Sequence, residues 1–258
     1  MNVLLGPCLC LSILAGQPES GGTFLYPPSF EIDGKLNGNP APYRPQAGDI
    51  FLCTDRIGIF QLGHWLAGSG APHHSGIVVA MADGNMGVLE AGPHNSLTVR
   101  LVPDLPAHMH SYEANGERIW IRQRLTPLTP EQSQRLTQFA LAQDGKWFAG
   151  LRLVGQLTPF RSRGPVRTRW LGKPHGERFS YFCSELVTES CVAAGALDAK
   201  KARPSATYPR ELFFGRSGNP VLNETLQIND GWLPPARLTC TPPLGPPLGI
   251  TTVSAPAR

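Results

Sequence analysis

The sequence predicts an α+β fold in which a small antiparallel sheet packs against helices, and three observations support this prediction. First, a β-branched run from His74 to Met81 is followed, after a turn sequence, by an apolar stretch from Gly87 to Ala91, which is the pattern of a β-hairpin. Second, two later segments combine helix-capping residues with helical apolar spacing. Third, 28 Gly and 26 Pro among 258 residues disfavour a helical bundle.

Three further strands complete the predicted sheet. Ala47-Gly48-Asp49 forms a turn before the strand Ile50–Cys53, and the segments 97–102 and 118–123 alternate apolar and polar residues. Charged residues recur on one face of the last strand, which predicts a sheet with one solvated side. The proline-containing segment 103–117 is predicted to be a loop.

Helices are predicted at three places. The apolar stretch Ile57–Leu66 favours a short helix or turn. Thr129 is a capping residue before Pro130, and this pair predicts a helix that ends near Asp144. The third helix begins near Cys183 and stops at Gly195, where glycine favours termination.

Composition excludes several classes of protein. Hydrophobic residues make up 41% of the chain, which is enough for a core and excludes a fibrous or wholly disordered protein. The balance of 23 Lys and Arg against 19 Asp and Glu gives a net charge of +4, too weak to indicate nucleic-acid binding. No apolar run reaches the roughly 20 residues that a membrane span requires.

The chain divides into four parts. Residues 1–16 are apolar and of signal-peptide length but contain no Lys or Arg, so two interpretations stay open: an exported protein with a signal segment, or a cytoplasmic protein with an extended start. Residues 17–46 are a Pro- and Gly-rich lead-in, residues 47–232 form the folded domain, and the Pro-rich residues 233–258 are predicted to be a disordered tail.

Cysteine and histidine spacing predicts neither a metal site nor a cofactor. The chain has no C-x-x-C pair and no H-E-x-x-H motif, and its seven histidines do not fall at metal-ligand offsets. Of six cysteines, four lie beyond residue 16 and could pair in an oxidising compartment, although their spacing does not require it.

One cysteine is placed for thiol chemistry. Cys183 is predicted at a helix N-terminus, where free N–H groups and the helix dipole stabilise a thiolate. His74, at the start of a strand, is a candidate base, and Glu90 on the next strand could orient its ring. The remaining cysteines of the folded part are interpreted as small buried apolar residues; they are Cys53, Cys191 and Cys240.

These residues lie in blocks that resemble a known family, the circularly permuted papain-like thiol hydrolases related to NlpC-type cell-wall amidases, and within it the YiiX-like branch. The resemblance covers roughly residues 46–214, and its blocks are Ala47-Gly48-Asp49-Ile50, His73-His74-Ser75-Gly76-Ile77-Val78, Val88-Leu89-Glu90-Ala91, Tyr181-Phe182-Cys183-Ser184-Glu185-Leu186-Val187 and Tyr208-Pro209-Arg210-Glu211-Leu212. It implies a papain-like permuted fold with the histidine before the cysteine in sequence. It also implies that Cys183 is the nucleophile, that His74 rather than His73 is the base because it stands two residues before Gly76, and that Glu90 is the third residue.

The resemblance implies a cysteine-dependent hydrolase that cleaves an amide bond, in a peptide or isopeptide, through an acyl-enzyme. Three substrate or partner classes stay open: cell-wall peptides, lipid or thioester acyl groups of the lecithin:retinol acyltransferase type with peripheral membrane contact, and a ligand of a catalytically silent binding module. A basic segment from Arg161 to Arg178 precedes the nucleophile. It is either a solvated loop or a substrate-binding lid.

Overall fold

The computed structural model describes residues 22–33, 35–54, 56, 58–66, 69–92, 97–155, 158 and 164–240. Residues 1–21 and 241–258 lie outside these ranges, so the predicted signal segment and most of the predicted disordered tail are not addressed by the structure. None of the helices in the described ranges has the length and apolar character needed to cross a bilayer.

The structure confirms the α+β class. The strands are β1 (Phe24–Leu25), β2 (Ala41–Pro42), β3 (Ile50–Cys53), β4 (His74–Ala80), β5 (Met86–Ala91), β6 (Val99–Val102), β7 (Ile119–Arg122), β8 (Trp147–Phe148), β9 (Ser180–Tyr181) and β10 (Ala236–Thr239). The helices are α1 (Gly58–Leu66), α2 (Leu105–Ala114), α3 (Pro130–Gln143), α4 (Gly150–Gly155), α5 (Pro165–Leu171), α6 (Cys183–Ala193), α7 (Pro209–Phe214), α8 (Pro220–Thr225) and α9 (Ile228–Gly231), with a 3₁₀ turn at Pro204–Ala206.

Within the described chain, eight strands form one antiparallel sheet in the order β2-β1-β10-β7-β3-β4-β5-β6. The predicted hairpin is β4–β5, with Val78 opposite Val88. The short strands β8 and β9 pair in parallel beside it and lead to α6.

The prediction of a solvated sheet face is wrong, because helices cover both faces. One face packs under α3 and α6, with Ile77 and Trp120 in its core. The opposite face packs under α2, with Val78 and Ile121 in its core. The last residue of β7, Arg122, is 1% exposed rather than solvated, because its guanidinium donates to main-chain carbonyls in the segments that follow α6.

Helix α2 replaces the loop that was predicted for residues 103–117. Asp104 caps its N-terminus by accepting a hydrogen bond from the Ala107 N–H, and Pro106 stands in the first turn, where its missing N–H has no helical partner to lose. Four of its residues are buried against the sheet: Leu105, His108, Met109 and Tyr112.

The folded part of the chain extends beyond the predicted domain, which was bounded at residues 47 and 232. Strands β1 and β2 lie in the lead-in, and β10 lies in the tail that was predicted to be disordered. β10 inserts between β1 and β7, where Leu238 is 1% exposed and pairs with Ile119. Pairing with strands distant in sequence therefore orders residues 233–240, which their proline content alone does not predict.

The two long predicted helices are confirmed. Thr129 and Gln132 form a reciprocal capping box at the start of α3. Helix α6 begins at Cys183 and runs along the sheet against β4, so its N-terminus lies near the end of the sheet where β4 begins.

Candidate functional site

The sheet register places His74 and Glu90 on the same face. Gly76 pairs with Glu90, and His74 lies two residues before Gly76, so the two side chains are diagonal neighbours on the α2 face. Glycine at 76 leaves room for the strand that carries Glu90, because a Cβ there would lie 3.0 Å from the Leu89 carbonyl oxygen and 3.3 Å from the Glu90 Cβ. A Cβ on Gly92 would lie 2.8 Å from the His74 ring, so this glycine admits the imidazole.

Glu90 accepts hydrogen bonds on both carboxylate oxygens. His74 Nε2 lies 2.9 Å from Oε2 and His108 Nε2 lies 3.0 Å from Oε1. The Tyr112 hydroxyl donates to Oε2 at 2.9 Å. The carboxylate is 7% exposed, and these three contacts replace the water that a buried charge loses.

These contacts determine the charges of Glu90 and His74. Burial disfavours ionisation of Glu90, but hydrogen bonds from His108 and His74 and their charges more than offset it and hold its pKa well below the usual range. Burial likewise lowers the pKa of His74, yet its hydrogen bonds to Cys183 and Glu90 and the charges of both partners raise the pKa to about 10. The ring is therefore an imidazolium at neutral pH.

The Cys183 thiol is the second partner of His74. Because His74 Nε2 is bound to Glu90, Nδ1 is the ring nitrogen that remains for the thiol. Cys183 is the first residue of α6 and is 7% exposed, and its Sγ lies 4.0 Å from the His73 carbonyl oxygen. The capping residue Phe182 offers no side-chain acceptor, so it leaves the first N–H groups of the helix uncapped.

The structure thus brings together all three predicted site residues, with His74 between Glu90 and Cys183. In this arrangement an imidazolium pairs with a carboxylate on one side and can pair with a thiolate on the other. The hydroxyl of Tyr181, near the nucleophile in sequence, lies 2.9 Å from Gln143 Oε1 and 2.8 Å from the Gly176 carbonyl oxygen instead of facing the thiol.

Glu185, in the first turn of α6, is fully buried and paired with cations. Arg152 of α4 donates to its Oε1 at 2.6 Å, Ser205 donates to the same oxygen, and Arg178 Nε lies 3.4 Å away. These partners counter a carboxylate two residues from the candidate nucleophile.

The contacts of Glu185 also show where one end of the basic segment 161–178 lies. Arg178 faces α6 and lies close to Glu185 and Glu189, so it belongs neither to a lid nor to a solvated loop. Arg167 and Arg169 lie on α5, while Arg161 and Arg163 fall outside the described residues.

The remaining described cysteines are buried, as interpreted from the sequence, and none of them forms a disulfide. Burial raises the pKa of Cys191 and of Cys240 to about 12, which keeps both as thiols. Across the described ranges, no three His, Cys, Asp or Glu side chains are grouped so that they could hold a metal ion.

Sequence reasoning missed three residues near the site. His108 and Tyr112 both contact Glu90, and their spacing of four on a helix capped by Asp104 is the signal that could have identified them. His64 of α1 is 8% exposed, and its ring lies 5.4 Å from His73 and 6.3 Å from Tyr208. Burial and the neighbouring histidines lower the pKa of His64 to about 4, so it is neutral.

Replacing Glu90 with Gln is expected to lower the pKa of His74 by more than about one unit, because the change removes the buried anion beside the imidazolium. Titration of the His74 ring signals by NMR measures the shift. Tyr112→Phe is the matched control: it removes one neutral donor to Glu90, leaves the charge, and should produce a smaller shift. Equal shifts in both variants would contradict the electrostatic role of Glu90.

Comparison with known proteins gives similarity to solved structures but no sequence family. No protein-family model matches the chain, and no curated protein matches it. Among solved structures, the chain is similar to the crystal structure of the metalloprotein yiiX from Escherichia coli O157:H7, at 21% sequence identity. The similarity covers 60% of this chain and 69% of that chain, with a TM-score of 0.41.

Proposed function

We propose that the protein is a cysteine-dependent hydrolase that cleaves an amide bond, in a peptide or isopeptide, through an acyl-enzyme on Cys183. The observation that carries the proposal is the chain of contacts from Glu90 through His74 to a cysteine at a helix N-terminus. A buried imidazolium held by a carboxylate on one side and in contact with a thiol on the other is the arrangement that activates a thiolate nucleophile.

The proposed reaction proceeds in two steps. The Cys183 thiolate attacks the carbonyl carbon of the substrate, and the His74 imidazolium gives its proton to the leaving amine as the carbon–nitrogen bond breaks. Water then gives a proton to His74 and attacks the thioester. The carbon–sulfur bond breaks, the acid is released, and the thiolate and imidazolium are restored.

Glu90 and its partners orient the base in this scheme. Two hydrogen bonds from α2 fix the carboxylate, and the carboxylate fixes the His74 ring through Nε2. The uncapped N–H of Cys183 at the start of α6 is the proposed donor to the oxyanion that forms during attack.

The proposal is tested first by the selectivity of thiol alkylation. In the native protein at pH 6.5, iodoacetamide should modify Cys183 ahead of Cys53, Cys191 and Cys240, because a thiolate reacts and a buried thiol does not. Peptide mass spectrometry measures each site. Equal modification of all four would refute the assignment of the nucleophile.

Turnover is tested with a panel of peptide and isopeptide amides. The expected result is release of the amine together with a transient thioester on Cys183 seen in the intact mass, and Cys183→Ser is the control that should form no thioester. Binding of a panel member without acylation or release would favour a silent binding module instead.

A second candidate, acyl transfer from a lipid ester or thioester, is favoured by large apolar side chains that are exposed on helices near the site. Trp65 of α1 and Trp170 of α5 are 71% and 73% exposed. The same intact-mass experiment separates the two candidates, because a lipid donor leaves a fatty acyl group on Cys183.

A further inference from the structure

Two helices near the site present apolar side chains to solvent. On α5, Val166 and Trp170 are 72% and 73% exposed and lie four residues apart, hence on one helix face. On α1, Leu62 and Trp65 are 53% and 71% exposed and lie three residues apart. Isolated exposed apolar residues are ordinary on protein surfaces, but grouped ones that include tryptophan indicate a contact surface.

Both helices contact the same segment, residues 203–210. The His64 ring of α1 lies 6.3 Å from the Tyr208 ring. Gly172 follows the last residue of α5 and lies close to Arg203: a Cβ added to Gly172 would be 3.2 Å from the Arg203 Cδ. Tyr208 in turn lies 6.3 Å, ring to ring, from Phe182, the residue before Cys183. Helices α1 and α5 therefore both adjoin one segment, and that segment lies beside the candidate nucleophile.

Cations predominate beside α5 and along the segment 203–210, although α8, which packs against α5, carries the exposed Glu224. Arg169, Lys173 and Arg210 are exposed, and the sequence contains no Asp or Glu from Thr158 to Gly176 or from Arg203 to Arg210. Exposed tryptophan and aliphatic side chains beside cations match the chemistry of an anionic bilayer surface, where apolar groups enter the headgroup boundary and cations pair with phosphates.

We propose that this docking surface binds the protein to anionic membranes. It consists of Leu62, Trp65, Val166, Trp170 and Leu171, with the cations Arg169, Lys173 and Arg210. The aliphatic members distinguish a bilayer from a single-stranded nucleic acid, because leucine and valine offer bases no ring for stacking. The inference goes beyond the proposed hydrolase, since it depends on the surface and not on the reactivity of Cys183.

The test is co-sedimentation of the full chain with vesicles of phosphatidylcholine, with and without about 30% phosphatidylglycerol. Binding is expected to the anionic vesicles and to fall at high salt. Because both tryptophans would lose the apolar area that they bury in the headgroup boundary, the double change Trp65→Ala and Trp170→Ala should weaken binding by about tenfold or more. Arg169→Gln with Lys173→Gln should weaken binding to the anionic vesicles alone, by about tenfold.

Trp147→Ala is the matched control. Trp147 is 56% exposed but lies on β8, outside the docking surface, and its removal should leave vesicle binding unchanged. Thermal unfolding of each variant checks the fold. Iodoacetamide labelling of Cys183 in the Trp65 and Trp170 double variant checks the site separately, so failure of docking and failure of the proposed chemistry are distinguishable.

Four results would overturn the proposal. They are absence of wild-type binding to anionic vesicles, equal binding to neutral vesicles, unchanged binding of the double tryptophan variant, and an equal loss in Trp147→Ala. Unchanged binding of the double variant would place the contact elsewhere, for example in the apolar run Met1–Gly16. Binding of a single-stranded oligonucleotide without any vesicle binding would assign the surface to nucleic acid.

Discussion

Replacing His74 with Asn is expected to slow alkylation of Cys183 at pH 6.5 by about 100-fold, because an ordinary cysteine thiol is only about 1% ionised at that pH. In the native protein the imidazolium of His74, whose pKa is raised to about 10, remains charged beside the sulfur over this pH range. The effect should shrink to a few-fold above about pH 9, where an unassisted thiol ionises on its own.

The pH dependence separates a lost ion pair from a damaged fold. A variant that merely misplaced α6 would be slow at every pH, whereas loss of the imidazolium slows the reaction mainly on the acid side. His175→Asn is the control, since His175 is exposed, and it should react like the native protein. A native rate for His74→Asn at pH 6.5 would show that the helix N-terminus alone stabilises the thiolate.

Replacing Arg122 with Met is expected to reduce the free energy of unfolding by about 3 to 5 kcal/mol, because the change leaves several buried acceptors without a donor. The guanidinium donates to the carbonyl oxygens of Leu212 and Leu233 at 2.9 and 2.8 Å and to Asn229 Oδ1 at 2.8 Å. Longer contacts reach two further carbonyls, those of Phe213 and Trp232. Burial lowers the pKa of Arg122 to about 10, so the side chain stays charged at neutral pH.

Urea unfolding followed by circular dichroism measures this change. Arg100→Met is the matched control: Arg100 lies on β6 and is exposed, so its loss should alter stability by no more than about 0.5 kcal/mol. Buried ion pairs are often replaceable by apolar residues without loss, but here the described acceptors are main-chain and amide oxygens that Met cannot satisfy. A stable Arg122→Met variant would therefore contradict a net contribution from these hydrogen bonds.

Local patterns in the sequence were enough to predict much of the fold, while the resemblance to a thiol-hydrolase family implied that His74 and Cys183 belong to one site. The alternating residues of β4 and β5 predicted a hairpin, and its register then places His74 and Glu90 together. The start of α6 at Cys183 followed from helical spacing and the glycine stop. In each case the decisive interactions lie between residues close in sequence or between adjacent strands.

What sequence analysis missed depends on contacts between distant segments. Alternation in β7 predicted that Arg122 faces water, but four residues beyond residue 210 supply the carbonyl and amide oxygens that let it be buried. The proline in the first turn of α2 was taken as a loop signal, although proline there is compatible with a helix. His108 and Tyr112 were overlooked for that reason, and with them two of the three contacts of Glu90.

The position of β10 has a consequence for synthesis on the ribosome. β10 bridges β1 and β7, and β7 is bonded to β3, which is bonded to the strand that carries His74. While the nascent chain still lacks residues 236–239, β1 cannot join the sheet and β7 presents an unpaired edge that could associate with another chain. The sheet beyond β7 is therefore completed late in translation, after a period in which the growing polypeptide is open to misassociation.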